Sequence, residues 1–338
     1  VVNGKQYARL DTIGRGGSST VFRVQSELDG NIYALKKVQL YDVDSMTLQG
    51  YLNERDLLQK LSGNDYIIKL IDSEDAIRSD PSTNSIGKRT LYLVMELGET
   101  DLARYLDKHR RERAQSIIAA ASSNQSSIDN QNAINNQQQL QQSSIPPQAP
   151  LELAFIQKYW KHMLLAVQAI HDSAIVHSDL KPANFVLVNG TLKLIDFGIA
   201  KAIPSDTTNI SRESQIGTVS YMSPEALRDL NNPLPSHQQQ QSSTNNQQQP
   251  MLMKLGRASD VWSLGCILYM MVYGRTPFAH LQNTIQRLRA ISDPNFQITF
   301  PDLIEKVPNE LKDVLIRCLD RESKQRATIP ELLKHPFL

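Results

Sequence analysis

Cysteine is nearly absent: the 338 residues contain 2, Cys266 and Cys318. Two thiols inside apolar helical patterns point away from a disulfide scaffold and read as buried free thiols of a reducing compartment, cytosol or nucleus. Net charge is almost absent as well, +1 from 36 basic against 35 acidic residues. That balance argues against nucleic acid or an anionic membrane as the main partner. Long hydrophobic runs are missing too. The longest uncharged apolar stretch, Val261 to Gly274, falls short of the ~20 residues a bilayer requires and suits a buried core helix. No signal peptide opens the chain, and a start on Val1 rather than Met reads as a piece of something longer.

Aromatic residues, 6% overall, disappear from residues 115–150 and 231–250, which are Gln, Asn and Ser instead. Neither segment can bury enough apolar surface to offset its ordering entropy, so both are expected to be disordered insertions, a self-associating polar tract being the other reading. The basic run Lys108 to Arg113 reads as the solvated end of a helix. What remains, ~280 residues of ordinary composition, suits one bilobal domain over residues 7–338.

The first part, residues 7–95, reads as short β-prone runs (YARLDTIG, TVFRVQSE, NIYALKKVQL, TLYLVMEL) interrupted by one helix near Met46–Leu61. From residue 99 to 338 the periodicity turns helical, with LAFIQKYWKHMLLAVQAIHDS the longest run and further helices predicted over Asp260–Tyr273, Leu281–Ile291, Pro308–Cys318 and Ile329–Lys334. The expected class is α+β: a small antiparallel-sheet lobe with one helix, a larger mainly helical lobe, and a cleft between them.

Residues suited to chemistry recur through this plan. IGRGGSSTVFRV places Gly14, Gly16 and Val21 in G-x-G-x-x-S-x-V spacing between two strand runs, with Ser19 where a third glycine is commoner. Glycines let backbone approach phosphate oxygens, and Val21 can cover an adenine ring. A strand after the glycines argues against a dinucleotide site, which needs a helix there; alone the motif is only a Gly-rich hairpin. Lys36 lies on the next strand run, on one face with Ala34, which is small enough to leave room for a flat ring. A surface lysine is the bland alternative. Glu54 shares a helix face with Tyr51, Leu58 and Leu61, where a lone carboxylate is costly unless paired, and Lys36 is its natural partner.

IVHSDLKPANFVL, Ile175 to Leu187, sets polar residues between apolar flanks, the pattern of a loop held by two buried elements. LKLIDFGIA follows, with Asp196, Phe197 and Gly198. Asp179 can accept a proton from an attacking hydroxyl, Lys181 can neutralise a phosphoryl in transfer, and Asn184 and Asp196 offer oxygen ligands for Mg2+. Phosphoryl transfer asks mainly for positioning and charge neutralisation, which these residue types supply. His177 reads as structural, packing the loop. Glu225 and Arg326 read as a buried ion pair. Asp260 either caps its helix or accepts amide protons from the Asp179 loop, and the two roles are compatible.

Taken in order, these residues form the protein-kinase signature set, and the chain resembles the eukaryotic protein kinases throughout, outside the insertions. The wording of GRGGSSTVF, IVHSDLKPANF, LKLIDFGIAK, DTTNISRESQIGTVSYMSPEA and SDVWSLGCILYMMVYGRTPF resembles one branch, the monopolar spindle kinases of the mitotic checkpoint. That resemblance implies ATP with Mg2+ and phosphorylation of Ser and Thr on protein substrates, with Tyr as well. It also implies kinetochore and checkpoint proteins as partners, transient self-association for trans-autophosphorylation, and a place in nucleus and cytoplasm at the kinetochore and spindle. By resemblance Lys36 holds the α- and β-phosphates and pairs with Glu54. Asp179 is the base, and Asn184 and Asp196 are the metal ligands. Ile13, Gly14, Gly16, Val21 and Ala34 enclose the nucleotide, backbone groups of Glu96 and Gly98 meet adenine, and Met95 guards the back pocket. Lys181 and Thr218 match the Ser/Thr-type pattern, and Thr207 and Thr208 match autophosphorylated activation-loop positions.

The chain departs from the usual pattern at Ser178, where arginine is common. An arginine there pairs with an activation-loop phosphate. Serine has no charge for that, so activation is expected to rest on other phosphate partners, such as Lys201 or Arg212, or on loop packing. Asn209 replaces a hydroxyl residue and removes that phosphosite, and the family's N-terminal targeting region is missing. Two other readings stand beside the leading one: a kinase of another signalling branch, and a pseudokinase scaffold. The intact Lys36, Glu54, Asp179, Asn184 and Asp196 speak against the scaffold.

Overall fold

The computed structural model describes residues 1–41, 43–78, 88–124, 150–197, 219–231, 256–303 and 306–338. The three β-prone runs that open the chain pair as an antiparallel meander of β1 (Tyr7–Arg15), β2 (Ser19–Ser26) and β3 (Ile32–Gln39). β5 (Lys88–Glu96) lies on β3, and β4 (Leu70–Arg78) on β5, giving the order β1-β2-β3-β5-β4. β4 is a strand that its own residues do not announce, since Asp72, Glu74 and Asp75 are poor strand formers. Neighbours hold it: β5 pairs along its length, Arg89 reaches Asp75 at 2.6 Å, and Lys5 reaches Asp72 at 2.9 Å. Helix α1 (Ser45–Leu61) belongs to this lobe. Asp44 starts it by accepting from the Met46 and Thr47 amides, each at 2.9 Å, a cap worth ~1 kcal/mol.

The helical lobe begins with β6 (Thr100–Asp101) and α2 (Leu102–Asn124), followed by α3 (Leu153–Asp172). α3 buries Ile156, Trp160, Met163, Leu164, Val167 and Ile170 at helical spacing. β7 (Phe185–Val188) and β8 (Thr191–Leu194) form a hairpin turned by Asn189-Gly190, both at positive φ, the chemistry a two-residue hairpin turn demands. Then come α4 (Pro224–Asn231), α5 (Arg257–Tyr273), α6 (Thr284–Ser292), α7 (Asn309–Cys318) and α8 (Ile329–Leu333). α5 is apolar on all sides and buried nearly throughout, which makes it the post around which the lobe packs. Gly265 lets α7 approach closely, because a Cβ there would lie 2.7 Å from the Cys318 Cβ. Burial pushes the Cys266 and Cys318 thiols far up, as expected of inert core cysteines. Among the described residues no helix is long and apolar enough to cross a membrane.

Two expectations fail. α2 continues through residues 115–124, the opening of the stretch expected to be disordered. Ala119, Ala120 and Ala121 are the best of helix formers, and they extend a helix already nucleated upstream. Nor is Lys108–Arg113 a solvated helix end, since it lies in the middle of α2 and Arg110 is only 6% exposed. Its guanidinium donates to the Met270 and Met271 carbonyls at 2.7 and 2.8 Å. Those oxygens sit in the last turn of α5, where the Met270 carbonyl also takes the Gly274 amide at 2.9 Å, and two carbonyl acceptors compensate the buried cation. Burial draws the Arg110 pKa below its ordinary value. Two predicted helix starts shift by three residues, Asp260 to Arg257 and Leu281 to Thr284. Residues 125–149 and 232–255, most of the two expected insertions, lie outside the described residues.

Candidate active site

On the sheet side, strand register assembles the site. Gly14 stands opposite Val21, and the hairpin tip closes with the Gly16 amide donating to the Ser19 carbonyl at 2.8 Å. Ile13 lies on β1 in the same hairpin. Val21 is in turn opposite Lys36, and Ala34 opposite Met95, so that these residues share two neighbouring strand pairs. Met95 and Ala34 are both buried. From α1, Glu54, only 2% exposed, accepts from the Lys36 ammonium at 2.8 Å. Burial opposes the charge on Lys36, but the carboxylates of Glu54 and then Asp196 outweigh it, and its pKa rises above the ordinary lysine value. The ammonium therefore stays charged between two acids.

The crossing between the lobes follows directly from β5. The Glu96 amide donates to the Lys69 carbonyl at 3.0 Å. Its carboxylate takes the Lys69 amide at 2.8 Å and the Lys193 ammonium at 2.7 Å. Gly98 then passes so near β7 that a Cβ would fall 2.7 Å from that of Val186. Only glycine allows the crossing segment to lie this close to β7. Lys193 carries no motif and was not singled out by sequence. Its role comes from a contact across 97 residues, which spacing cannot reveal.

On the helical side a buried carboxylate organises the loop. Asp260, fully buried, accepts from the His177 amide (2.9 Å), the Ser178 amide (2.8 Å) and His171 Nε2 (2.8 Å). Gly256 is the N-cap of α5, so of the two roles foreseen for Asp260 the structure shows the loop-holding one. Ser178 sits at φ +65°, a left-handed conformation costing ~1–2 kcal/mol for a residue with a side chain. Its amide bond to Asp260 helps hold it there. His177 is buried, as expected of a structural residue. The Asp179 amide donates to its Nδ1 at 3.2 Å, which puts the ring hydrogen on Nε2, and Nε2 donates to the Asp196 carbonyl at 2.6 Å.

Asp179 Oδ2 accepts from the Lys181 ammonium at 3.0 Å. A short 3-10 turn, Pro182–Asn184, folds back so that Asn184 Oδ1 takes the Lys181 amide at 3.0 Å. The Asn184 carbonyl takes the Ile195 amide at 2.9 Å, which brings Asn184 beside Asp196. Among the described residues no three His, Cys, Asp or Glu side chains gather as a metal cage. Two protein oxygen ligands suit Mg2+, which keeps several waters and takes its other oxygens from phosphates. The donor set fits a magnesium–nucleotide complex.

Two features flank this centre. Arg326 grips Glu225 bidentately at 2.7 and 3.1 Å and also donates to the Ala258 and Asp320 carbonyls. Burial alone would raise the Glu225 carboxyl, but the bond to Arg326 and its charge pull it below the usual carboxylate range. A cavity of about 360 Å3 opens beside Lys181, lined by Leu106, Asp107, Pro182, Ala183, Tyr221 and Met270 among others. Gly198, Lys201, Thr207, Thr208, Asn209, Arg212 and Thr218 lie outside the described residues.

A charged lysine held between two acids, an oxygen pair suited to a metal, and a carboxylate with a cation beside it are the kinds of group that moving a phosphoryl group onto a hydroxyl requires. The chain matches the protein kinase domain over residues 7–338 and belongs to the protein kinase family. Within it, the similarity runs to the Mps1 and TTK kinases. The chain is 46% identical to serine/threonine-protein kinase mph1 of Schizosaccharomyces pombe and 42% identical to dual specificity protein kinase TTK of Mus musculus, over 98% and 100% of its length. It is 38% identical, over 100% of its length, to serine/threonine-protein kinase MPS1 of Saccharomyces cerevisiae. It spans 43%, 32% and 37% of those proteins, respectively.

Proposed function

We propose that this chain is the catalytic part of a dual-specificity kinase that phosphorylates Ser and Thr, and also Tyr, of protein substrates in spindle checkpoint signalling. The observation that carries the catalytic reading is the joining of Asp179, Lys181 and Asp196 through the His177 ring and the Asn184 turn. Similarity to kinases named Mps1 and TTK supports the branch and the acceptor residues.

In this reading Lys36, kept charged and fixed by Glu54, holds the phosphates of ATP. Asn184 and Asp196 hold Mg2+. ATP supplies the phosphoryl group when bound, and Mg2+ shields its charge. Asp179 orients the acceptor hydroxyl and takes its proton, while Lys181, 3.0 Å from Asp179, balances charge beside it. Ile13, Gly14, Gly16, Val21 and Ala34 enclose the nucleotide, Met95 limits its depth, and backbone groups of Glu96 and Gly98 meet the base. The substrate chain runs across the cavity beside Lys181. Thr207 and Thr208 are the autophosphorylation positions, with Thr218 at the acceptor side, and self-association delivers them in trans. The whole protein works at kinetochores and the spindle.

Incubating the purified chain with ATP and Mg2+ and mapping phosphosites by mass spectrometry tests this. Phosphate on Thr207 or Thr208 and on added Ser/Thr peptides is expected, with none from Asp179→Ala. Equal signals from the two proteins would leave a scaffold. Fluorescent tagging of the full-length protein in dividing cells tests the kinetochore assignment.

A further inference from the structure

Ser18 and Tyr51 have no part in the machinery described so far, yet their hydroxyls are hydrogen-bonded to each other across 33 residues. Ser18 stands at the tip of the β1–β2 hairpin, between exposed Gly17 and the first residue of β2. Its carbonyl accepts from the Gln39 amide at the end of β3, at 2.9 Å. Around Gly17 there is open space. Tyr51 lies on α1 three residues before Glu54, hence on the same helix face. A single bond between two uncharged hydroxyls thus joins the segment over the phosphates to the helix that carries Glu54.

We propose that the Ser18–Tyr51 hydroxyl pair is a latch through which the closed glycine-rich hairpin holds α1, and with it Glu54 and Lys36, in the position that grips the phosphates of ATP. Ser18 and Tyr51 are positioning residues. They act through Lys36, and the bond they share forms and breaks without moving charge, as suits a cover that must open in each cycle. The latch rests on the reading of Lys36 as the phosphate-holding residue.

The test measures ATP affinity in the presence of Mg2+ by calorimetry, and phosphoryl transfer separately, for Ser18→Ala, Tyr51→Phe and the double variant. Tyr33→Phe, which removes a hydroxyl bonded to Asp29 in the same lobe, is the control. Each single change is expected to weaken ATP about 3- to 10-fold, the range of one neutral hydrogen bond. The double variant is expected to be no weaker than either single, because the two lose the same bond. Ser18→Thr, which keeps a hydroxyl, restores affinity, while the peptide KM and the melting temperature stay at wild-type values. Unchanged ATP affinity in Tyr51→Phe, or losses that multiply in the double variant, overturn the latch. A wild-type chain that binds ATP without transferring phosphate would overturn the kinase reading alone, and the latch would still be read from binding.

Discussion

The two sides of the cleft are fastened in different ways. The Asp179 loop is bound to one fully buried carboxylate, Asp260, by two backbone amides, His171 of α3 bonds the same carboxylate, and His177 ties the loop to the segment that carries Asp196. Opposite it, Lys36 on a strand pairs with Glu54 on a helix at 2.8 Å, and a bond between the Ser18 and Tyr51 hydroxyls joins that helix to the hairpin tip. The first arrangement is a frame anchored to the core of the helical lobe. The second is a grip of side-chain bonds between separate elements. Phosphoryl transfer needs both: the acceptor's proton must meet a fixed carboxylate, whereas the nucleotide must enter and leave. Substitutions in the frame should therefore cost stability, and substitutions in the grip should cost nucleotide affinity.

The sharpest way to break this contrast is within the frame's functional tip. Asp179→Asn should cut transfer by about 10²- to 10⁴-fold, the usual contribution of a general base, with urea unfolding unchanged. A large stability loss would mean that Asp179 is part of the frame itself. Next in size, Asp260→Ala should destabilise the chain by about 3–5 kcal/mol, because it strands buried donors that shared one charge, and activity should fall with it. Denaturant titration followed by tryptophan fluorescence reads this directly. On the grip side, Glu54→Gln should lower kcat/KM for ATP about 10- to 100-fold, the worth of a charged hydrogen bond, while the melting temperature falls less than in Asp260→Ala, because Gln keeps an oxygen for the Lys36 ammonium and Asp196 remains near it. If melting falls as far as in Asp260→Ala, the two sides are not distinct.

The smallest effect concerns pH. Glu225 has its native pKa held below an ordinary glutamate by Arg326. The unfolded chain therefore binds its proton first as pH falls, and the pair's stabilisation, complete above about 4.5, is lost as pH drops through the depressed native value. Stability measured from pH 6 down to pH 3 should fall less steeply in Glu225→Gln than in the wild type. Parallel curves would show that the pair is not titrating in this window.

What could be read from sequence follows the same division. Ala34 and Lys36 two residues apart on a strand, Glu54 on an apolar helix face, and Asp179 with Asn184 in one short loop are local patterns, and periodicity places each of them. The Lys36–Glu54 pair followed because a buried carboxylate must find a cation. Contacts between distant elements were not legible. Nothing near Lys193 marks it for Glu96, nothing near Arg110 says that α5 ends beside it, and Tyr51 read only as one more residue of an apolar stripe. β4 was invisible because its strand state comes from β5 and from cations on other segments. The extension of α2 through residue 124 was hidden by composition, since a polar, aromatic-free stretch can still continue a helix begun elsewhere.

Ser178 looked at first like a missing part. His177 shows why the loop tolerates it. One imidazole lies between the Asp179 amide and the Asp196 carbonyl, touching both, so the gap from the Asp179 loop to the segment that carries Asp196 is gauged by the width of a rigid aromatic ring. Ser178 is fastened through its backbone amide, which any residue but proline possesses. The side chain at that position can thus be exchanged, and the means of switching the enzyme on can diverge, without resetting the gauge on which the chemistry depends.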